Sequence, residues 1–330
     1  MSDPGEGYRC GRVAIVGRPN VGKSTLLNRF LGEKISIVSP KPETTRENLL
    51  GILTLPRCQV LFVDTPGIYA GPKTLLAKFQ IENARQALVD ADCLLLMTEA
   101  HAGITPEDRR IVAMLPKAKS VSGTKKAVSD TKPVPVFLAI NKVDRVKKEL
   151  ILPQIDEARS LYPFSDTFPI SAHKGANVKS LLEALVAVLP EGPALYPADQ
   201  LTDKPVRDLG KEIIREKVLL FTHEEIPHGV AVVIEEWRPG KSSSRQKLPD
   251  SDQKLRGGPG IYVRATLYVE RDSQKGILIG KDGALLKRIG ESARREMEPF
   301  IEGSVYLDLW VKVAQNWRKD PWMLRRLGYG

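Results

Sequence analysis

A glycine-rich turn comes directly after the first apolar run of the chain, Val13 to Val16. Its nine residues are Gly17, Arg18, Pro19, Asn20, Val21, Gly22, Lys23, Ser24 and Thr25. Their order fits the phosphate-loop pattern, in which glycines let backbone N–H groups approach phosphate oxygens and a following helix adds its positive end. Lys23 is placed to reach the terminal phosphates, and the Ser24 hydroxyl to bind Mg²⁺. The turn predicts a nucleotide site but does not distinguish ATP from GTP.

A second candidate element is Asp64-Thr65-Pro66-Gly67, which ends the apolar run at residues 60–63. A carboxylate at the end of that strand can hold Mg²⁺ through water, and the Gly67 N–H can contact a γ-phosphate. By itself the tetrapeptide is more typical of an ordinary turn after a buried strand. It indicates a nucleotide site because a phosphate loop precedes it.

A third element selects the base. Asn141-Lys142-Val143-Asp144 follows the apolar run at residues 136–140. A carboxylate at Asp144 can accept both N1–H and the exocyclic amine of guanine, whereas adenine offers no such paired donors. We expect the Lys142 stem to cover the base and Asn141 to tie this loop to the phosphate loop. Ser171-Ala172 completes the pocket, with a backbone N–H aimed at guanine O6. Together the elements predict GTP or GDP as the ligand.

Residues 1–190 alternate short apolar runs with amphipathic stretches, which predicts a mainly parallel sheet with helices on both faces. With the motifs above, this predicts a GTP-binding domain at residues 1–190, of the α/β phosphate-loop NTPase fold. The strand candidates are residues 12–16, 51–55, 59–64, 93–97, 136–141 and 167–170, and the helix candidates include 78–88 and 178–189. Residues 191–208 are rich in proline and glycine and predict a linker. The polar stretches 120–135 and 238–260 are interpreted as surface loops.

Residues 209–330 have a different pattern, which predicts a smaller α+β domain. Gly280-Lys281-Asp282-Gly283 lies between two predicted helices and is typical of the turn with which a KH fold holds about four unpaired nucleotides. The element order, helix, strand, strand, helix, turn, helix, strand, resembles the bacterial type II KH arrangement. Basic side chains flank the turn and suit phosphate contacts; those assigned to the RNA site are Lys275, Lys281, Lys287 and Arg288. Of Trp310, Trp317 and Trp322, we expect most to pack in the core.

The bulk composition agrees with this organisation. The 330 residues carry a formal charge of +10, which favours a polyanionic partner, and the excess is divided equally between residues 1–200 and 201–330. Three scattered cysteines are typical of a cytosolic protein rather than of a disulfide framework. No apolar stretch is long enough to span a membrane, and residues 1–8 lack the pattern of a secretory signal. We therefore expect a cytoplasmic protein.

The motifs at residues 17–28, 41–46, 64–67, 141–144 and 171–173, in that order, resemble those of the Era group of GTPases, and the resemblance extends over the second domain. It implies that Thr45, or Thr44 beside it, is the switch threonine that joins Ser24 and Asp64 at Mg²⁺, and that Lys23, Thr45 and Gly67 carry slow GTP hydrolysis. It also implies a monomer that binds 16S rRNA near its 3′ end, acts as a GTP-switched factor in 30S subunit assembly, and attaches loosely to the inner membrane surface.

Three residues bear on how closely the chain follows that group. Ile68 occupies the place of a water-orienting glutamine, so intrinsic hydrolysis should be slow. His173 replaces a lysine familiar in many relatives, with little expected loss because the contact comes from the Ala172 backbone. Asn20 is similar to the residue that holds K⁺ in potassium-activated relatives, so K⁺ activation is a hypothesis.

Two other functions remain open at this point. One is a GTPase that assists RNA modification, or an assembly factor with tandem GTPase domains, although neither a folate-binding region nor a second GTPase domain is evident. The other is an RNA-binding protein whose nucleotide-binding domain is vestigial or purely regulatory. The intact Lys23, Ser24, Asp64 and Asp144 argue against it.

Overall fold

The computed structural model describes residues 7–39, 41, 44–69, 71–72, 74–116, 133–223, 226–240 and 260–329. The chain divides into two compact units. The first comprises Met1–Ser36, Thr45–Lys73 and Ala77–Asp203, and the second Ile37–Thr44, Thr74–Leu76 and Lys204–Gly330. The division after Asp203 falls inside the expected linker. Most of the two expected surface loops, residues 120–132 and 241–259, lies outside the described residues.

The first unit is a six-stranded sheet covered by helices. Its strands are β1 Arg9–Val16, β2 Leu49–Leu55, β3 Cys58–Asp64, β4 Cys93–Glu99, β5 Val136–Asn141 and β6 Asp166–Pro169. Its helices are α1 Lys23–Leu31, α2 Leu75–Val89, α3 Pro106–Val112, α4 Ile151–Leu161 and α5 Val178–Val188. The strand order is β2-β3-β1-β4-β5-β6, and every pair is parallel except β2 with β3. The predicted α/β fold is confirmed.

Both faces of this sheet are buried, because the strands carry apolar residues at successive positions. Val13 and Ile15 of β1 belong to one core cluster, whereas Ala14 and Val16 belong to the cluster on the opposite face. All seven residues of β4 are buried. Such continuous burial is typical of a parallel sheet with helices on both sides. The carboxyl ends of β1, β3, β4 and β5 therefore emerge at one edge.

The second unit is a three-stranded sheet with helices on one face. Its helices are α6 Val206–Phe221, α7 Ile226–Gly229, α8 Asp272–Ile279, α9 Ala284–Ile301 and α10 Pro321–Arg326, and its strands are β7 Ala231–Pro239, β8 Ile261–Val269 and β9 Val305–Val313. The order is β7-β8-β9, antiparallel and then parallel. The inward faces of α6 and α9 form the core with alternate strand residues. This matches the predicted element order.

The tryptophans of the second unit behave differently from expectation. Trp317 is fully buried, donates from Nε1 to the Gly229 carbonyl at 2.9 Å, and stacks on Tyr329. Trp310 and Trp322, however, are 54% and 64% exposed. The prediction that most of the three pack in the core is therefore wrong. On β9, alternation assigns the neighbouring Val311 to the core and leaves Trp310 on the opposite face.

We expect Trp317→Ala to destabilise the second unit by about 3–5 kcal/mol, because it opens a large cavity and leaves the Gly229 carbonyl unpaired. The matched change Trp322→Ala removes the same side chain from an exposed site and should cost less than about 0.5 kcal/mol. Urea unfolding of the full chain, followed by circular dichroism, measures both. Equal losses would contradict the assignment of Trp317 to the core.

Candidate functional site

The phosphate loop joins β1 to α1, and close packing requires both of its glycines. A Cβ at Gly17 would lie 2.5 Å from the Met97 carbonyl oxygen at the end of β4. Gly22 has φ 104°, and a Cβ there would overlap the Asn141 side-chain amide. Such contacts exclude any side chain. The loop is thereby pressed against the ends of β4 and β5, with α1 beginning at Lys23.

Lys23 is buried beneath this loop. Its Nζ donates to the carbonyl oxygens of Gly17 at 3.2 Å and Arg18 at 3.1 Å. Burial lowers the pKa of Lys23 to about 8; Asp64 opposes this effect, and the positive charge of Arg18 adds to it. Among the described residues, only neutral carbonyls lie within hydrogen-bond distance of this buried ammonium, so it has no close anion there. A phosphate group would supply that anion and would raise the pKa again.

Three hydroxyls converge on the carboxylate of Asp64, which ends β3 and is fully buried. Oδ2 accepts from Ser24 Oγ at 2.6 Å and Ser36 Oγ at 3.0 Å, and lies 3.5 Å from Thr45 Oγ1. Its other oxygen, Oδ1, is buried and has no hydrogen-bond partner among the described residues. Burial raises the pKa of Asp64, against the effects of Lys23 and the hydroxyls. This set of oxygens, one of them unsatisfied, suits a hard cation such as Mg²⁺ or its water ligands.

The tandem threonines occupy different environments. Thr45 Oγ1 lies 3.1 Å from Ser24 Oγ, beside Asp64. Thr44 Oγ1 donates instead to the Lys41 carbonyl at 2.7 Å. The geometry therefore favours Thr45 over Thr44 as a metal ligand. The contribution of Ser36 was not anticipated, because a lone serine in a loop carries no sequence signal.

The turn after β3 is fastened to the phosphate loop. Thr65 donates to the Ile15 carbonyl from its hydroxyl at 2.9 Å, and Ile68 N–H donates to the Gly17 carbonyl at 3.2 Å. Pro66 is buried, and a Cβ at Gly67 would lie 2.6 Å from the Pro19 ring. Ile68 is 5% exposed, so the residue in the place of a water-orienting glutamine is packed into the core.

Asn141 connects the phosphate loop with two further loops. Its Nδ2 donates to the Val21 carbonyl at 2.7 Å, as expected of a tie to the phosphate loop, and its Oδ1 accepts from Ala172 N–H at 2.9 Å. The Ala172 amide that we expected at guanine O6 is thus already donated to Asn141. A contact with O6 would have to share it. The Arg29 side chain of α1 donates to the Ala172 carbonyl at 3.1 Å and to the His173 carbonyl. These contacts hold the loop by its backbone and do not involve the His173 side chain.

Asp144 is exposed and lies near Ser171. Interaction with the Ser171 side chain is the main cause that lowers the pKa of Asp144, and it favours the ionised carboxylate. Ser171 itself is buried, and its Oγ also accepts from Lys174 N–H at 3.1 Å. Asp144 is therefore an exposed anion that can accept hydrogen bonds, as guanine recognition needs. The Ser171 side chain has a role that the sequence did not reveal.

In the second unit, Gly280–Gly283 turns the chain between α8 and α9. The two glycines have φ 73° and 77°, and Asp282 has φ 51°. A Cβ at Gly280 would lie 2.9 Å from Leu285 Cβ, whereas nothing lies within 4 Å of one at Gly283. Lys281 and Asp282 are exposed at the tip. The turn leaves backbone open on the Gly283 side, as a clamp on a sugar-phosphate chain requires.

The basic residues expected around this turn differ in their exposure and in the partners they already have. Lys287 is exposed on α9 and Lys275 is half-buried on α8. The Arg288 guanidinium lies 4.3 Å above the Phe221 ring, so part of its surface already has a cation–π partner.

A family model described as "50S ribosome-binding GTPase" matches residues 12–142, and one described as "KH domain" matches residues 252–318. GTPase Era of Caldanaerobacter subterraneus subsp. tengcongensis is 45% identical over 322 residues, which cover 98% of both proteins. The chain belongs to the Era family of GTPases. Era of Syntrophus aciditrophicus (strain SB) is 42% identical, over 98% of this chain and 95% of that protein.

Two solved Era structures are similar to 98% of this chain. One is Era in complex with MgGDPNP and nucleotides 1506–1542 of 16S ribosomal RNA, with a TM-score of 0.86, 41% identity, and coverage of 98% of this chain and 99% of that chain. Another is a variant of Aquifex aeolicus Era bound to GDP·AlF₄⁻, with a TM-score of 0.85, 40% identity, and coverage of 98% and 100%.

The pKa of Lys23 predicts how nucleotide binding depends on pH. The charged ammonium binds phosphate, so affinity should hold below pH 8 and fall above it, by about tenfold between pH 7 and pH 9. Calorimetric titration with GDP measures this. In Lys23→Arg the guanidinium stays charged from pH 7 to pH 9. The pH dependence that remains in this variant therefore comes from other titrating groups. A fall of the same size in both proteins would contradict the role of Lys23.

Proposed function

We propose that this chain is a GTP-hydrolysing switch that binds single-stranded 16S rRNA near its 3′ end and acts in 30S subunit assembly. The observation that carries the nucleotide part is the Asn141 tie, which holds the guanine-selecting loop against the phosphate loop. Membership of the Era family, together with the lysine-bearing turn of the second unit, supports the RNA part.

The residues that would hold GTP have distinct tasks. The backbone amides of residues 17–25 and the Lys23 ammonium would hold the phosphates. Ser24, Thr45 and Asp64 fit Mg²⁺, which when bound neutralises charge on the phosphate oxygens. The Gly67 N–H would contact the γ-phosphate. Because Ile68 is apolar and buried, it cannot orient water, so hydrolysis by the protein alone should be slow.

Selection of guanine would rest on Asp144. Its carboxylate, whose ionised form is favoured by Ser171, can accept two hydrogen bonds from guanine, whereas adenine would leave the anion unpaired. The alternative of a vestigial nucleotide site is disfavoured, because Lys23 and Asp64 retain buried charges that cost stability unless they serve a ligand.

Asp144→Asn should weaken GTP binding by at least about a hundredfold and should create affinity for XTP. Xanthine carries a carbonyl where guanine carries the exocyclic amine, and the asparagine amide can donate to it. Competition binding with GTP, XTP and ATP measures the change. A variant that keeps its preference for GTP over XTP would contradict the role of Asp144.

The RNA site would centre on the Gly280–Gly283 turn. Exposed Lys281 at its tip and exposed Lys287 nearby can contact phosphates, while the glycines allow the backbone to approach. The Era complex with nucleotides 1506–1542 of 16S rRNA supports this choice of RNA. Crosslinking in cells followed by sequencing of the bound RNA tests the assembly role; enrichment of messenger RNA or tRNA over 16S rRNA would contradict it.

Lys281→Glu should weaken binding of an RNA corresponding to nucleotides 1506–1542 by about tenfold, because it replaces a phosphate contact by a repulsive charge. Lys179→Glu makes the same charge change on α5, where the side chain is 90% exposed, and should leave binding within about twofold. Filter binding at fixed salt compares them. Equal losses would indicate general charge attraction and contradict a clamp at the turn.

Two finer expectations remain predictions. Asn20, with φ 65° in the phosphate loop, is the residue through which K⁺ would activate hydrolysis; equal rates in Na⁺ and K⁺ would exclude this. Loose membrane attachment is supported by the net charge of +10 alone, and co-sedimentation with anionic vesicles tests it. No helix in the described part of the chain has the length and apolar character to cross a membrane.

A further inference from the structure

A buried carboxylate lies between the phosphate loop and the base loop. Glu99 is the last residue of β4, and its side chain is 11% exposed. Oε1 accepts from Lys142 Nζ at 3.0 Å, and Oε2 accepts from Arg18 at 3.3 Å. One carboxylate thus bridges a cation of each nucleotide-binding loop.

The sheet explains this position. β4 is hydrogen-bonded to β1, which leads into the phosphate loop, and to β5, which leads into the base loop. The backbone beyond Glu99 is fixed as well, because Ala100 N–H donates to the Asn141 carbonyl at 2.8 Å. Strand pairing therefore holds the Glu99 backbone at the junction, and from there the side chain reaches both loops.

A second carboxylate anchors Arg18 from the other side. Asp108 is fully buried, and its Oδ2 lies 3.5 Å from Arg18 Nε. The same oxygen accepts from the N–H of Thr105 at 3.0 Å and from its hydroxyl at 2.8 Å, while the Asp108 N–H donates back to that hydroxyl at 3.3 Å. This capping box fixes the start of α3 and with it the anion. The Arg18 guanidinium thus lies between two carboxylates, hydrogen-bonded to Glu99 and ion-paired with Asp108.

The charges of this network favour the ionised form of Glu99. Burial acts to raise its pKa, but the hydrogen bond and charge of Lys142, with Arg18 and exposed His101, outweigh burial and lower it. A buried anion with two cationic partners contributes more than an exposed ion pair. Its neutralisation would leave Lys142 without a carboxylate partner among the described residues and Arg18 with Asp108 alone.

The contact between Glu99 and Lys142 fixes a side chain of the base loop. Lys142 Nζ also donates to the Asn20 carbonyl at 2.8 Å, so the ammonium is shared between Glu99 and the phosphate loop. Such anchoring fixes the stem of Lys142, the side chain expected to cover the base. The Arg18 anchor likewise fixes the residue whose carbonyl receives Lys23 Nζ at 3.1 Å. Both consequences concern the binding of nucleotide rather than the transfer of its phosphate.

We propose that Glu99 is a positioning residue for guanine nucleotides: it holds the Lys142 ammonium and the Arg18 guanidinium, with Asp108 as the second anchor of Arg18, so that both loops are arranged before the nucleotide arrives. This inference rests on the proposed guanine-nucleotide function. The carboxylates of Glu99 and Asp108 contact Arg18, Lys142 and Thr105 rather than Asp144, so we expect their effect to be separate from the recognition made by Asp144.

The test uses the full chain and Glu99→Gln, which keeps the shape and removes the charge. We expect GDP to bind about tenfold more weakly and to dissociate faster. IDP, which lacks the exocyclic amine, should lose the same factor, and single-turnover hydrolysis of bound GTP should stay within twofold. Glu107→Gln is the control, since among the described residues Glu107 makes no ion pair with Arg18 or Lys142. It should bind like the unchanged protein.

A double-mutant cycle identifies the partner. With Lys142→Met already present, Glu99→Gln should cost less than in the unchanged protein, because the shared ammonium is gone. Three results would each overturn the inference. They are additive losses of GDP affinity in the double variant, unchanged GDP affinity in Glu99→Gln, and a loss confined to single-turnover hydrolysis. If Glu99→Gln melts at a much lower temperature than the unchanged protein, Glu99→Asp, which keeps the charge, serves as a second variant. Glu99→Asp must then bind GDP more tightly than Glu99→Gln does; otherwise the inference fails. If the unchanged protein does not prefer GDP to ADP, the proposed function fails instead.

Discussion

The nucleotide site depends on one side-chain amide at the end of β5. Asn141 donates to the Val21 carbonyl and accepts from the Ala172 amide, at 2.7 Å and 2.9 Å. It thereby joins three loops that are distant in the sequence. The close approach also requires Gly22, where any Cβ would overlap the Asn141 amide. Parallel strand order brings these loops to one edge, but this amide fixes the distance between them.

Buried charge is the second constraint on the same edge. Lys23 and Asp64 are both fully or almost fully buried, and each partly offsets the other's cost of burial. Asp64 Oδ1 nevertheless lacks a hydrogen-bond partner among the described residues, and the Lys23 ammonium has only neutral carbonyls as close partners. Unsatisfied buried groups destabilise a fold unless a ligand satisfies them. A magnesium-bound polyphosphate would supply a cation to one and an anion to the other.

Much of this site could be predicted from the sequence, because its residues occur as contiguous motifs after apolar strands. The phosphate loop and Asp144 follow strands that the apolar runs predicted, and Asp64 is the last residue of another. Glu99, Ser36 and Asp108 could not be predicted, since each acts through partners that are far away along the chain. Helices α3 and α4 have weaker sequence signals. The first has seven residues, and Pro153 in the first turn of the second resembles a helix breaker.

The second unit shows the same limit. Its element order could be predicted from periodicity, and the Gly280–Gly283 turn from its glycines. The exposure of Trp310 could not, because residue type favours burial while position on β9 decides the face.

The most direct measurement of the central claim is calorimetric titration of the purified protein with GDP and with ADP in the presence of Mg²⁺. A carboxylate that accepts two hydrogen bonds from guanine, held against a phosphate loop, predicts binding of GDP at least about a hundredfold tighter than that of ADP. Equal affinity for the two nucleotides would contradict the account of the pocket.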